Sequence, residues 1–466
     1  MISCLIVVVA IVALQFIAAT VAQTTETTTA AATATGSSTE AASSWCDHCA
    51  RPVVVASLPS TMCMCLFANV KTPRVLDFAP NGDLLIGSPR EGTPGITDPG
   101  LGGVYILADD DRNGVADDET QSFLRGESSI HGILAHKGSL YYTTSSGVYR
   151  VPLVDGQRAA AVRTDGQLAN NVRVAELGSE RYTHTLAVEP GTDALFVSTG
   201  RYDTNRCAGA DDPRLGAVLR IGGDQPLEGT VVVENCRNPM YLRCMPWACY
   251  TMELSGDGWG GQNGVEKLVR FSSKNATDPV NVGYPCCIRK GQREKDYAPA
   301  SETCEQIDDS EFEFRLGDTP FQFDWDSGKN FPAPYTGSLF IAMHGSFQAW
   351  VGAGIQVLAW DDATNKPKAG QKPVQMMPGG FGRGGDLFKE SADGGGRVSG
   401  LKFHPDGRLF VSDDRSGKVF WIAPKTLRRT GARVPPLTDT QSVATSSSSS
   451  FSIAVSVAAI GGLLTL

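Results

Sequence analysis

One motif recurs along the chain: an alternating apolar stretch, a turn with Gly or Asp, and a second apolar stretch. It runs from Val75 to Gly87, from His131 to Thr143, from His184 to Ser198 and, most clearly, from Val398 to Ser412. Weaker copies begin near Pro239 and Pro320. Alternation with period two predicts strands with one buried face, and Asn81-Gly82 and Asp406-Gly407 are residue pairs that tight hairpin turns favour, so each copy predicts a β-hairpin. The six copies start near residues 75, 131, 184, 239, 320 and 398, a spacing of about 53–81 residues. That leaves room for four strands and their loops per copy, and radial repetition of four-stranded sheets makes a β-propeller. The predicted fold is all-β, a six-bladed β-propeller of four-stranded antiparallel blades over residues 45–430. No long stretch of helical period competes.

Composition narrows the class. The 466 residues include 51 Gly and 26 Pro, which suits many turns, yet no G-x-y period exists and collagen is excluded. With 41% hydrophobic residues and a net charge of −9, the chain has a core to bury and no general attraction for a nucleic-acid backbone. No nucleic-acid partner is expected.

Both ends read as addressing segments. Leu5 to Ala19 is apolar and is followed by the small residues Thr20-Val21-Ala22, so residues 1–22 are expected to be a secretory signal peptide. No Lys or Arg precedes the apolar run. Residues 23–44 are almost all Thr, Ala and Ser and are expected to form an extended, O-glycosylated stalk. Residues 431–450 form a Ser/Thr-rich spacer, and residues 451–466 are an uncharged hydrophobic tail. Together they match the signal for a glycosylphosphatidylinositol anchor, with Ser442 or Asp439 as attachment point. The expected location is extracellular, at the cell surface, with the membrane reached through the lipid. Asn275-Ala276-Thr277 is an N-glycan acceptor motif.

Cysteine usage agrees with secretion. Beyond the signal segment lie eleven cysteines, which in an oxidising compartment are expected to form disulfides and to leave at least one unpaired or bonded to another chain. Cys46-x-x-Cys49 with His48 inside it lacks a second CxxC, so disulfides are expected there rather than zinc.

Propellers bind ligands at the mouth of the central channel, on loops between blades. His131, His184 and His344 sit beside predicted strand ends, where a neutral imidazole could accept a proton. Asp109-Asp110-Asp111-Arg112-Asn113-Gly114 matches the first half of a calcium loop, with Asp109, Asp111 and Asn113 as alternating ligands and Asp117 as a further one. Position twelve departs from the pattern, being Thr120 with Glu119 one place early. Arg237 in Cys236-Arg237-Asn238-Pro239 offers a rigid donor fork suited to carboxylates, and Asn238 can orient a carbonyl. No GxGxxG, Walker A or GxSxG motif supports nicotinamide, phosphate-loop or α/β-hydrolase chemistry.

From about Leu58 to Ile422 the chain resembles the soluble sugar dehydrogenases that use pyrroloquinoline quinone, the glucose/sorbosone dehydrogenase group. The resemblance lies in Arg74 to Asp83, Asp211 to Arg220, Cys236 to Pro239, Gly283 to Pro285, Phe331 to Gly337, Met343 to Ser346 and Val398 to Asp414. It implies a six-bladed propeller, a quinone held with calcium over the channel mouth, and oxidation of a sugar or aldose by hydride transfer. It also implies that Arg237 faces the quinone with Asn238 beside it, and that His344 and Arg397 lie in cofactor-binding segments.

Two departures stand out. Aligned on Leu186, the family's catalytic histidine falls on Arg181, with His184 three residues later. A guanidinium cannot act as a general base, because its pKa is far too high. Either His184 takes the catalytic role from a shifted position, or the hydride chemistry is lost. The segment Gly256 to Gly260 is also altered. Two functions stay open: a secreted or surface quinoprotein-like dehydrogenase acting on a sugar or aldose, and a non-catalytic propeller that binds surface glycan or protein.

Overall fold

The structure is a computed structural model. It describes residues 43–429 apart from 56, 90–100, 179, 203, 205, 208–210, 223–226, 346–353 and 379–395. The expected signal segment, nearly all of the stalk, the spacer and the hydrophobic tail lie outside the described residues.

The described residues form six antiparallel sheets of four or five strands. Blade 1 holds Val75–Phe78, Leu84–Ser88, Leu101–Leu107 and Ser122–Ser128. Blade 2 holds Ile133–His136, Ser139–Thr143, Gly147–Pro152 and Val172–Glu176. Blade 3 holds Leu186–Glu189, Ala194–Thr199, Ala217–Ile221 and Thr230–Glu234, with Val280–Asn281 added in parallel at its edge. Blade 4 holds Asn238–Met245, Ala248–Leu254, Val265–Phe271 and Phe312–Arg315. Blade 5 holds Pro320–Trp325, Leu339–Met343, Gly354–Leu358 and Val374–Pro378. The first strands pack in a ring, each against the first strand of the next blade and the sixth against the first. The six sequence copies are the two innermost strands of each blade.

Blade 6 closes the ring. Its strands Val398–Phe403, Leu409–Asp413 and Lys418–Pro424 take their outer partner, Met62–Asn69, from the far end of the chain. Two disulfides, Cys46–Cys63 and Cys49–Cys65, tie the preceding segment to that strand. Trp45 is buried there with the Arg408 guanidinium 3.6 Å above its ring. Three more disulfides, Cys207–Cys286, Cys244–Cys249 and Cys287–Cys304, leave buried Cys236 as the free cysteine among the described residues. Asn275, the expected glycan acceptor, is half-buried in a one-turn helix, where its side-chain amide caps the turn.

The predicted turns form as expected: Gly82 and Gly407 adopt φ of 87° and 93°, which glycine tolerates without strain. The core fills the space between neighbouring blades. Trp325, for example, meets Trp247, Tyr250 and Trp360 edge-on or tilted, at centroid distances of 5.1–6.2 Å.

A first strand has a partner on one side only, so its other edge presents unpaired backbone groups to the channel. Side chains satisfy them. Gln322 Oε1 accepts the N–H of Leu76 at 2.9 Å and of Leu401 at 3.2 Å, while its Nε2 donates to the Leu76 carbonyl at 2.7 Å and to the Tyr241 hydroxyl at 2.8 Å. One amide thus joins blades 1, 4, 5 and 6 across the axis. Asp77 accepts the N–H of Ala135, and Asp324 that of Phe403. Hydroxyls at the ends of second strands do the same work: Thr143 accepts from Gly132, Ser198 from Thr185 and Ser412 from Gly400. Gln322→Leu keeps the volume but orphans two N–H groups and a carbonyl. At about 1–3 kcal/mol per orphan it should lower unfolding free energy by at least about 3 kcal/mol in denaturant titration.

Candidate functional site

Antiparallel order places the start of every first strand and the end of every second strand at the same end of the propeller. At that end stand Arg74, His131, His184, Arg237 and Arg397, one or two residues ahead of first strands. Arg201, Asp257, His344 and Asp414 follow second strands there. The predicted residues His184, Arg181, Arg237, Asn238, His344 and Arg397 are thus brought to one mouth.

Asp414 is the hub of one half. Arg74 Nε donates to it at 2.9 Å and His344 Nε2 at 3.1 Å, with all three side chains buried. Arg397 donates to the carbonyls of His344 and Gly345 at 3.3 and 2.8 Å. The His344 ring stacks on Phe321, 4.0 Å between centroids and 8° from parallel. Burial pushes Asp414 upward, but His344, Arg74 and Arg397 outweigh it and hold the carboxyl well below its usual range. Burial and the Arg397 charge bring His344 down to about 4, so its ring is neutral at pH 7 and Nε2–H donates to Asp414.

The other half carries two histidines. His184 is fully buried and its Nδ1 lies 2.9 Å from the Ser198 carbonyl, which can only accept; Nδ1 therefore holds the proton and Nε2 keeps a lone pair. Nε2 has no hydrogen-bond partner. Burial lowers this ring to about 4 against the pull of the Ser198 and Ser145 carbonyls. His131 is also buried, with both ring nitrogens unpartnered and its edge toward Tyr182. Burial first, then the Arg74 charge, hold it well below the usual histidine range.

Between the halves lies Arg237. Its guanidinium meets Asp257 at 2.7 Å, and its backbone N–H donates to Glu253 at 2.6 Å. Asn238 accepts from Thr183 at 2.9 Å, which ties blade 4 to the residue before His184. Gly200 lets Asn238 and Arg181 pack close to the backbone: a Cβ there would sit 2.5 Å from Asn238 Oδ1 and 2.9 Å from Arg181 Cδ. Arg181 Nε donates to the Arg201 carbonyl at 2.6 Å, and its guanidinium lies over Tyr202. The altered segment at Gly256 forms a short 3-10 turn, Asp257–Gln262, that buries Trp259 and presents Asp257.

Two deeply buried carboxyls hold this region from behind. Glu253, pushed up to about 8 by burial, keeps Arg237 in place; Glu266, pushed up to about 7 by burial, accepts from the backbone of Ser255 and Gly317.

The acidic loop does not join the site. Asp109, Asp111, Asn113 and Asp117 connect the third and fourth strands of blade 1, which places them at the opposite end of the propeller, where Arg408 lies 3.6 Å from Asp109. Their oxygens serve the loop itself: Asp109 accepts from Gly114, Asp111 from Asn113, Asn113 from Val115 and Asp117 from Asp110. Among the described residues, the His, Cys, Asp and Glu ligand atoms that converge are those of Cys287, Glu302 and Cys304, whose sulfurs form a disulfide. Sequence reasoning also missed Arg74, Arg201 and Asp414. Reading the residue one step ahead of each copy would have found Arg74.

No family model and no curated protein matches the chain. Solved structures do. The fold is similar to a family AA12 carbohydrate-active enzyme from Trichoderma reesei, with TM-score 0.60 and 19% identity over 80% of this chain and 98% of that one. It is similar to the PQQ domain of a pyranose dehydrogenase from Coprinopsis cinerea, with TM-score 0.56 and 15% identity over 78% and 96% of the two chains. A soluble aldose sugar dehydrogenase from Escherichia coli follows, with TM-score 0.50 and 15% identity over 78% and 99%. The likeness is one of fold.

Two outcomes test this geometry. Asp414→Asn removes the carboxylate that meets the buried Arg74 guanidinium and should cost about 3 kcal/mol or more of stability, read by denaturant unfolding. Glu266 has a folded value of about 7, above the roughly 4.3 of an exposed glutamate. Its contribution is complete below the unfolded value and is lost as pH rises through the folded one. The wild type should therefore lose melting temperature between about pH 5 and pH 8, and Glu266→Gln should lose less over the same interval.

Proposed function

We propose that the chain is an extracellular sugar oxidoreductase that uses pyrroloquinoline quinone at this mouth. The observation that carries the reading is His184: a buried neutral imidazole whose tautomer is fixed by Ser198 and whose Nε2 has no partner. Such an atom is positioned to take a proton from a bound hydroxyl.

The donor set suits a planar polycarboxylate anion. Arg237, Arg74 and Arg397 supply guanidinium groups, the hydroxyl-bearing wall of Tyr182 and Thr183 adjoins them, and His131 brings two unpartnered ring nitrogens. Asn238, held by Thr183, stands beside them. When bound, the quinone would supply the hydride acceptor. The chain's own part is to orient the sugar hydroxyl at His184 Nε2, receive its proton there and keep the reacting carbon dry against Phe321 and Tyr182. Arg181 enters as a wall and a donor, not as a base. The acidic loop at Asp109 does not fit a calcium ion held with this anion, because it lies at the other end of blade 1, and calcium enters no step. The five disulfides favour an oxidising compartment, in keeping with secretion and a lipid-anchored tail.

The test is reconstitution of the protein with pyrroloquinoline quinone, followed by absorbance and turnover with a panel of aldoses. Loss of the base in His184→Ala should lower kcat at least about 100-fold with quinone affinity little changed. Arg237→Ala should instead weaken quinone binding by about 10- to 100-fold, the loss of one charged contact. A wild type that binds no quinone and oxidises no aldose overturns the reading. A binding-only propeller, with Arg181 where the family has its base, would then be sought on a glycan array.

A further inference from the structure

Inner-strand residues divide the channel into three layers. At the mouth already described stand Arg74, Phe321 and Arg397. One or more steps along the same strands, Leu76, Gln322 and Leu401 meet across the axis with Tyr241 and close it. Beyond this plug come Asp77, Arg243, Asp324 and Lys402, which line a cavity of about 470 Å³ that opens at the opposite end. Its size is that of a small-molecule site. The proposed oxidoreductase uses none of these residues.

The floor of this cavity is two ion pairs drawn from four blades. Lys402 Nζ lies 2.9 Å from Asp77, and Arg243 Nε lies 3.1 Å from Asp324. Asp77 and Asp324 each also accept a backbone N–H, so both carboxylates are fixed in place. Lys402 has three N–H donors and, among the described residues, one partner. Trp325 and Phe403 form part of the wall.

We infer that this cavity is a second binding site, for a neutral polyhydroxylated ligand of one or two sugar rings. Each floor charge already has its counter-charge, so a charged ligand would leave one group uncompensated in a poorly solvated place. Hydroxyls both donate and accept, and can bond an ammonium and a carboxylate together. The apolar face of a sugar ring can lie against the partly exposed Phe403 on the wall. The Gln322 layer keeps this site apart from the histidine mouth, so ligand here neither reaches His184 nor competes for it. The site stands whether or not the oxidoreductase reading holds.

The test is calorimetric titration of the full-length protein with D-glucose, D-xylose, cellobiose, glycine betaine and inorganic phosphate. At least one sugar should bind saturably, and neither betaine nor phosphate should. Ser327→Trp, an exposed rim position, should weaken that binding at least about tenfold by filling the opening, and Lys402→Met should weaken it similarly, the loss of one charged hydrogen bond. A melting curve separates lost binding from lost fold, and Ser327→Trp carries the test if Lys402→Met unfolds. The doubly altered His184→Ala, Arg237→Ala protein should keep the binding. No saturable sugar binding, binding of betaine or phosphate alone, or binding lost in that double variant and untouched by Ser327→Trp each overturns the inference.

Discussion

Six strands that each lack a partner on one edge must share one narrow axis, and this constraint organises the molecule. The unpaired N–H and C=O groups of those edges cannot be left without partners in a space that side chains fill. Gln322 resolves three of them at once, and Asp77, Asp324, Thr143, Ser198 and Ser412 resolve others. The strands must also come close. A Cβ at Gly132 would stand 2.6 Å from the His184 carbonyl, and one at Gly400 would collide with the Arg74 carbonyl and the Ser412 hydroxyl. Glycine at these two positions lets the strands bearing site residues on blades 1, 2, 3 and 6 approach.

The same packing sets the electrostatics of the mouth. Groups at the starts of inner strands are removed from water, so imidazoles there stay neutral and carboxylates stay charged only where guanidinium groups face them. Asp414 shows the second case and His131 and His184 the first. Glu253 and Glu266 are buried without enough compensation and move toward their neutral forms, while their oxygens hold the backbone of Arg237 and of the Asp257 turn. The mouth is thus shaped before any ligand arrives, which limits the ordering that binding must supply.

Local pattern was readable and long-range pairing was not. The inner hairpins of all six blades and the turns at Gly82 and Gly407 follow from alternation, whereas the grouping of Arg237, Asn238, His344 and Arg397 came from the family resemblance. Closure by Met62–Asn69 left no such trace, because its partner strand lies some 350 residues away and an alternating run does not say which edge it joins. The Arg74–Asp414 pair, separated by 340 positions, was hidden for the same reason. The acidic loop shows the converse limit. Its spacing matched a calcium motif, but spacing cannot tell which end of a blade a loop occupies, nor that each side-chain oxygen would serve a neighbouring N–H or amide.

His131 and His184 stand two residues ahead of the first strands of blades 2 and 3, in equivalent places, yet they are not equivalent chemically. Ser198 fixes the proton of His184 on Nδ1 and leaves one defined lone pair. His131 makes no such bond of full geometry, and the His184 carbonyl pulls only weakly on its ring against burial and the Arg74 charge. Arg181 is already committed, through Nε to the Arg201 carbonyl and through its face to Tyr202, and can stiffen the wall without taking part in proton transfer. In the proposed reading His184 takes the base's part three residues along from Arg181, at the position where the Ser198 carbonyl of the second strand meets the ring.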